Sequence, residues 1–162
     1  MTLIKSIPFV VLFAFFVSTA QGSTSMKSEM ETEFSGNWIG KGTLDGQGLD
    51  HALPADFQIS VKVTSTALHL LECWKPADLE AGQPRCIRSE YEIQDENKLY
   101  SKGRRLGEIF PDQITILESN SQVAEQMVLQ LSESKQLRFQ YHYVNVDGAS
   151  QFRKAILKRE KP

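Results

Sequence analysis

The sequence predicts an all-β protein, a single antiparallel up-and-down β-barrel of about 8 to 10 strands. Three observations carry this. From Phe34 onward apolar residues recur with a period of two rather than of 3.6. Turn-forming clusters interrupt the runs at short, even intervals. No segment beyond the N-terminal apolar run has the pattern of a helix of about ten residues.

Residues 1–22 read as a signal peptide. Lys5 supplies a positive start, residues 7–17 are almost unbroken apolar, and Ser18-Thr-Ala20 or Ala20-Gln-Gly22 offers small residues for cleavage. An apolar run of about 11 residues falls short of the roughly 20 needed to cross a bilayer. The expected product is soluble, periplasmic or secreted, with no stable membrane insertion. Residues 23–33 are polar and mixed in charge, and read as a flexible leader or one loose helical turn. The barrel domain is expected over 34–160.

The run from Phe34 to Thr43 opens the first strand, near 35–43. Phe57, Ile59, Val61 and Val63 alternate with Asp56, Gln58, Ser60 and Lys62 in a second, 56–63. A third covers 67–74. Ile87, Ser89, Tyr91 and Ile93 alternate with Cys86, Arg88, Glu90 and Glu92 in a fourth, 86–93. Short strands follow at 98–102, 105–109 and 113–118. Met127, Leu129 and Leu131 share one face of 122–131, and Leu137, Phe139, Tyr141 and Tyr143 one face of 136–144. The last strand is 150–159. One dry and one wet face per strand is the antiparallel habit.

Only two connections are long, 44–55 and 75–85, and they are the first and third. In a meander, successive turns fall alternately at the two ends, so both long connections share one end. The tight turns at 64–66, 95–97, 110–112 and 132–135 close the other. That pattern is a cup with an elaborated mouth and a plain floor, a form suited to ligand binding.

The chain carries 18 Lys and Arg against 20 Asp and Glu. Removing Lys5 with the leader leaves 17 against 20, a net of −3, with no basic stripe. Nucleic acid is excluded as a partner, since phosphate neutralisation needs clustered cations. Cys73 and Cys86 are the only cysteines, and in an exported protein they are expected as a disulfide clamping the base of the long 73–86 hairpin. Without a Cys-x-x-Cys or a His-rich neighbourhood, a redox or metal-binding pair is disfavoured.

The opening motif Gly36-x-Trp38 at the start of a meander resembles that of the lipocalin-like (calycin) group. The fuller pattern Gly36-x-Trp38-x-Gly40-x-Gly42 is similar to nitrobindin-type barrels, as is Ala155-x-Leu157-x-Arg159 on the last strand. The resemblance implies a barrel, a binding role, and an Arg stacked on the opening Trp; Arg159 is the first candidate and Arg153 the second. The haem-ligating His of nitrobindin-type barrels is missing from Ser150-Gln-Phe-Arg153, and the lipocalin Thr-Asp-Tyr type motif is absent too. No haem or other cofactor is therefore expected.

Trp38 reads as a plug beneath the first strand in preference to a cavity wall. The dry-face aromatics Phe57, Tyr91, Phe139, Tyr141 and Tyr143 either line a pocket or fill the barrel. Ser89 on the same face calls for a polar partner inside. The mouth gathers Asp50, His51, Trp74, Arg104, Arg105, Asn145 and Asp147, with Trp74 the contact candidate unless it simply packs on the disulfide. The ligand-binding candidates are thus Trp74, Tyr91, Phe139, Tyr141, Tyr143, Arg105 and His51, with Gly36, Trp38 and Arg159 structural. His51, His69 and His142 show no zinc spacing, so no metal is expected. No Gly-x-Ser-x-Gly elbow or inward acid pair nominates a catalytic set.

These residues favour a non-enzymatic binding protein for a small apolar or amphipathic molecule. The alternative is a protein-interaction or inhibitor module with a solid barrel and a disulfide-clamped 73–86 loop. A barrel isomerase or cyclase is a third reading.

Overall fold

The computed structural model describes residues 22–77 and 82–161. The expected signal segment lies, but for Gly22, outside the described residues. A helix, α1 (Gly22–Phe34), leads into ten strands: β1 (Gly36–Gly46), β2 (Leu53–Val63), β3 (Ala67–Pro76), β4 (Arg85–Gln94), β5 (Lys98–Ser101), β6 (Arg104–Ile109), β7 (Gln113–Ser119), β8 (Val123–Leu131), β9 (Gln136–Asn145) and β10 (Ser150–Arg159). Each pairs antiparallel with its sequence neighbours, and β1 pairs with β10 from Trp38 opposite Arg159 to Gly46 opposite Gln151. The ring is closed, so no edge strand remains for unwanted pairing.

The strands run further than the apolar alternation alone shows. Leu44 pairs with Leu53 and Ala55 with Pro76, so the first and third connections shrink to 47–52 and 77–84. Both stay at the mouth, because turns 64–66, 95–97, 110–112 and 132–135 lie at the opposite end.

Residues 23–33, read as a flexible leader or one loose helical turn, lie within the longer α1, which seals the floor. Met30 and Phe34, four residues apart and therefore on one helical face, are both buried. The carbonyls of the last helical turn, which have no partner within the helix, are met from the barrel. Trp38 Nε1 donates to the Phe34 carbonyl at 2.9 Å. Arg159 donates to the Thr32 carbonyl at 3.2 Å and to that of Glu33. Arg159 also stacks on the Trp38 ring, its Cζ 4.7 Å from the ring centroid. Gly36 makes the turn between helix and strand at φ 146° and lies against the Arg159 side chain, a conformation few L-residues adopt.

The floor half is solid. Ile59, Leu68, Leu99, Ile109, Ile114, Leu129, Leu137, Phe139 and Leu157 are all at most 1% exposed, and each contributes about 1.5–3 kcal/mol by leaving water. Phe57 packs on Phe139 with ring centroids 5.9 Å apart. Cys73 and Cys86 are directly opposite on β3 and β4 and are bonded, clamping the connection between them. Replacing both with Ser is expected to cost about 3 kcal/mol. The readout is a lower urea midpoint with an unchanged far-UV spectrum.

Candidate functional site

Directly opposite residues of an antiparallel pair share a face, so the register shows which side chains enter the barrel's mouth half. Glu72 lies opposite Ile87, Trp74 opposite Arg85, and Leu70 opposite Ser89. Across the barrel, Glu118 lies opposite Glu125, Glu125 opposite Tyr143, and Tyr141 opposite both Met127 and Arg153. Since Leu70, Leu129 and Phe139 of the same phase are core residues, all of these point inward.

At the centre is a buried ion pair. Arg153 is 1% exposed and Glu72 3%. Arg153 Nε lies 3.1 Å from Glu72 Oε1, and Arg153 Nη2 donates to Glu72 Oε2 at 3.2 Å. The first contact is misaligned, so Nε and Oε1 are close in charge but share no hydrogen bond. The guanidinium is held between two rings, its Cζ 4.2 Å from the Trp74 centroid and 3.8 Å from that of Tyr141. Cation–π contact on both faces compensates part of its desolvation.

Burial pushes the Glu72 carboxyl up to about 7, against the opposing pull of Arg153. Burial likewise lowers the Arg153 guanidinium, opposed by Glu72, Tyr141 and Glu125. The Tyr141 hydroxyl is raised by burial and then by the charge of Glu125. Tyr91 is raised by burial first, against the lowering influence of nearby Ser89, and further by the charges of Glu118 and Glu125.

The Glu72 shift has a consequence for stability. Unfolded, the carboxyl titrates at its ordinary 4.5; folded, at about 7. The folded chain holds that proton more tightly, so the stabilisation is complete below pH 4.5 and lost as pH rises through 7. A decline of up to about 3 kcal/mol is expected. Urea unfolding at stepped pH measures it, and Glu72→Gln flattens the slope.

The mouth half is open where the floor half is filled. Ile87 faces inward yet is 44% exposed. Glu118 is exposed, and Ser89, Glu125, Met127 and Tyr143 are only half-buried. On the other side of the Arg153 stack, Leu44, Leu49, Leu53, Trp74, Pro76 and Arg85 line a hollow of ≈ 340 Å³ at the rim. A larger groove of ≈ 670 Å³ lies on the outer face of the wall, beside Ile39, Lys41, Gln58 and Lys158. It touches neither buried charge, so the interior carries the chemistry.

The candidates fall in different places. Trp74, Tyr141 and Tyr143 lie toward the mouth half, whereas Tyr91 is rooted opposite Leu68 of the floor and is buried. Phe139 is likewise sunk in the packed floor. Arg105 pairs with Glu108 of its own strand; β5 and β6 slip register between Leu99 and Tyr100, setting Arg105 opposite the outward Tyr100. His51 is exposed in the β1–β2 connection. Arg153 stacks on Trp74 and Tyr141, not on Trp38.

Glu72, Glu118 and Glu125 escaped the sequence reading. Their signal is phase: Glu72 continues Leu68 and Leu70, Glu118 continues Ile114 and Ile116, and Glu125 leads into Met127 and Leu129. A charged residue in the dry phase near a strand's mouth end marks an interior polar site. Among the described residues, no three His, Cys, Asp or Glu side chains converge as a metal site. No described helix is long and apolar enough to cross a membrane.

Fold and site define a closed ten-stranded antiparallel barrel, plugged at one end and polar and open at the other. Its likeness among solved structures is to other barrels. An S-type phycobiliprotein lyase from Guillardia theta matches at TM-score 0.61 and 8% identity, over 86% of this chain and 96% of that one. A redesigned β-barrel, mFAP1 bound to DFHBI, matches at TM-score 0.40 and 12% identity, over 78% and 97%. At 8% identity, what the chain shares with the lyase is the fold. No protein-family model and no curated protein matches the sequence.

Proposed function

We propose that this chain is an exported, lipocalin-like barrel that binds a small apolar or amphipathic molecule through its mouth. The carrying observation is the half-filled interior: inward Ile87, Ser89, Glu125 and Tyr143 are reached by solvent above a packed floor. A barrel serving only as a rigid support would fill these positions, as the floor half does. Export is supported by the N-terminal apolar run and by the Cys73–Cys86 bond. The lipocalin-like reading is supported by Gly36-x-Trp38 and by the Arg159–Trp38 stack joining the first and last strands. Binding is favoured over catalysis because the two buried charges already neutralise each other.

The test is native mass spectrometry, with an absorbance spectrum, on protein purified from its exported compartment without denaturant. A mass excess released by organic extraction is the expected result. A bare chain that also gives no thermal shift with lipids or aromatic compounds overturns the proposal and favours an interaction module built on the clamped β3–β4 connection.

A further inference from the structure

The outer wall of the barrel is charged unevenly. On β9, β10 and β1 the outward phase carries Arg138, Lys154, Lys158 and Lys41, all exposed. No Asp or Glu occurs within 37–43, 136–142 or 152–158, although the whole chain has a net charge of −2. Asp45, Asp56 and Glu160 border this wall. Among the described residues, no ion pair or hydrogen bond engages any of its four cations. No stretch of the sequence is basic here; closure of the ring brings these cations together.

Apolar side chains lie between them. Ile39 is 42% exposed and Ile156 57%. Lys158 stands directly opposite Ile39, and Ile156 has Lys41 on one side and Arg138 on the other. Two hollows indent the wall and meet at Lys41: the groove of ≈ 670 Å³ beside Ile39 and one of ≈ 310 Å³ beside Ile156. The Thr43 hydroxyl borders the smaller one, is covered, and has no hydrogen-bond partner. It is a donor left over for an anion's oxygen.

Exposed isoleucines set among unpaired cations on long arms match the surface of an anionic bilayer. The arms reach phosphate groups while the apolar side chains enter the headgroup layer. A protein partner fits less well, because protein interfaces are depleted in Lys and enriched in aromatic side chains. Three of these four cations are Lys, and the closed ring offers a partner no edge strand to extend.

We propose that the β9–β10–β1 wall docks this protein peripherally on membranes rich in anionic phospholipid. The proposal stands apart from the ligand-binding function, since it concerns the outside of the barrel.

The test is co-sedimentation with phosphatidylcholine vesicles, with and without about one third phosphatidylglycerol, at low and high salt. The native chain is expected to bind the anionic vesicles alone, and to leave them as salt rises. Lys154→Glu/Lys158→Glu is expected to lower the partition coefficient at least about tenfold. The control is Arg88→Glu/Lys102→Glu, on β4 and the β5–β6 turn of the far wall, which changes the net charge equally. It is expected to stay within about threefold of the native chain. If a variant does not fold, the lipid preference and salt dependence of the native chain still decide. Equal loss in both variants, or equal binding to both kinds of vesicle, overturns the proposal. So does the absence of binding; retention on immobilised polyglutamate then assigns the wall to an acidic protein instead.

Discussion

Arg153→Met is expected to lower barrel stability by about 3–5 kcal/mol at pH 8, because it strands Glu72 as an unpaired carboxylate in the interior. It also empties the space between the Trp74 and Tyr141 rings, where the guanidinium now sits. The double variant Glu72→Leu/Arg153→Met is expected to recover most of the loss, since an apolar pair of similar volume removes the desolvation cost of both charges. About 1–2 kcal/mol stays lost with the two stacking contacts. Urea unfolding of the two single variants and the double closes the cycle, and strong non-additivity is the expected sign of direct coupling. A second readout separates charge from packing. Without Arg153 the pull that lowers Glu72 is gone, so the loss of stability with rising pH should move to more alkaline values. A purely steric role for Arg153 would leave that profile where it is.

Gly42→Ala is expected to abolish folding or to cost at least about 3 kcal/mol. A methyl group there would sit 2.0 Å from the Lys154 carbonyl oxygen and 2.8 Å from Ala155 Cα. At Gly40 it would meet the Ile156 carbonyl oxygen at 2.2 Å. These obstacles are backbone, so no rotamer change relieves them. The two glycines let β1 coil tightly against β10 where the barrel closes. Thr43→Ala is the control, one residue along on the outer face. It removes a buried hydroxyl that has no hydrogen-bond partner, and should change stability by no more than about 0.5 kcal/mol. Soluble yield and denaturant midpoints distinguish the cases, and a Gly42→Ala protein as stable as the parent would show that closure does not depend on glycine.

How far each part of the molecule was legible follows from the range of the forces involved. Strand alternation is a local property: Phe57 to Val63 and Leu137 to Tyr143 show their dry faces in six or seven residues. With tight turns between them, that alternation determines a meander, and the parity of successive turns places both long connections at one end. The Cys73–Cys86 bond follows from the same register, which sets the two residues opposite each other.

Other features required the closed barrel. Residues 23–33 are polar enough to read as a leader, and the buried Met30, with Phe34 just beyond, marks the face that seals the floor. A short helix of that composition gains its stability from the surface it covers and from Trp38 and Arg159 meeting its last carbonyls, partners that arrive from elsewhere in the sequence. The same holds inside the mouth. Glu72 and Arg153 lie 81 residues apart and meet only because the ring closes. By itself the sequence determined the strand pattern, the turn parity and the disulfide, all set by near neighbours. Only the tertiary structure decided that the floor is solid and the mouth open and charged, because long-range burial determines which inward side chains fill the barrel and which water can reach.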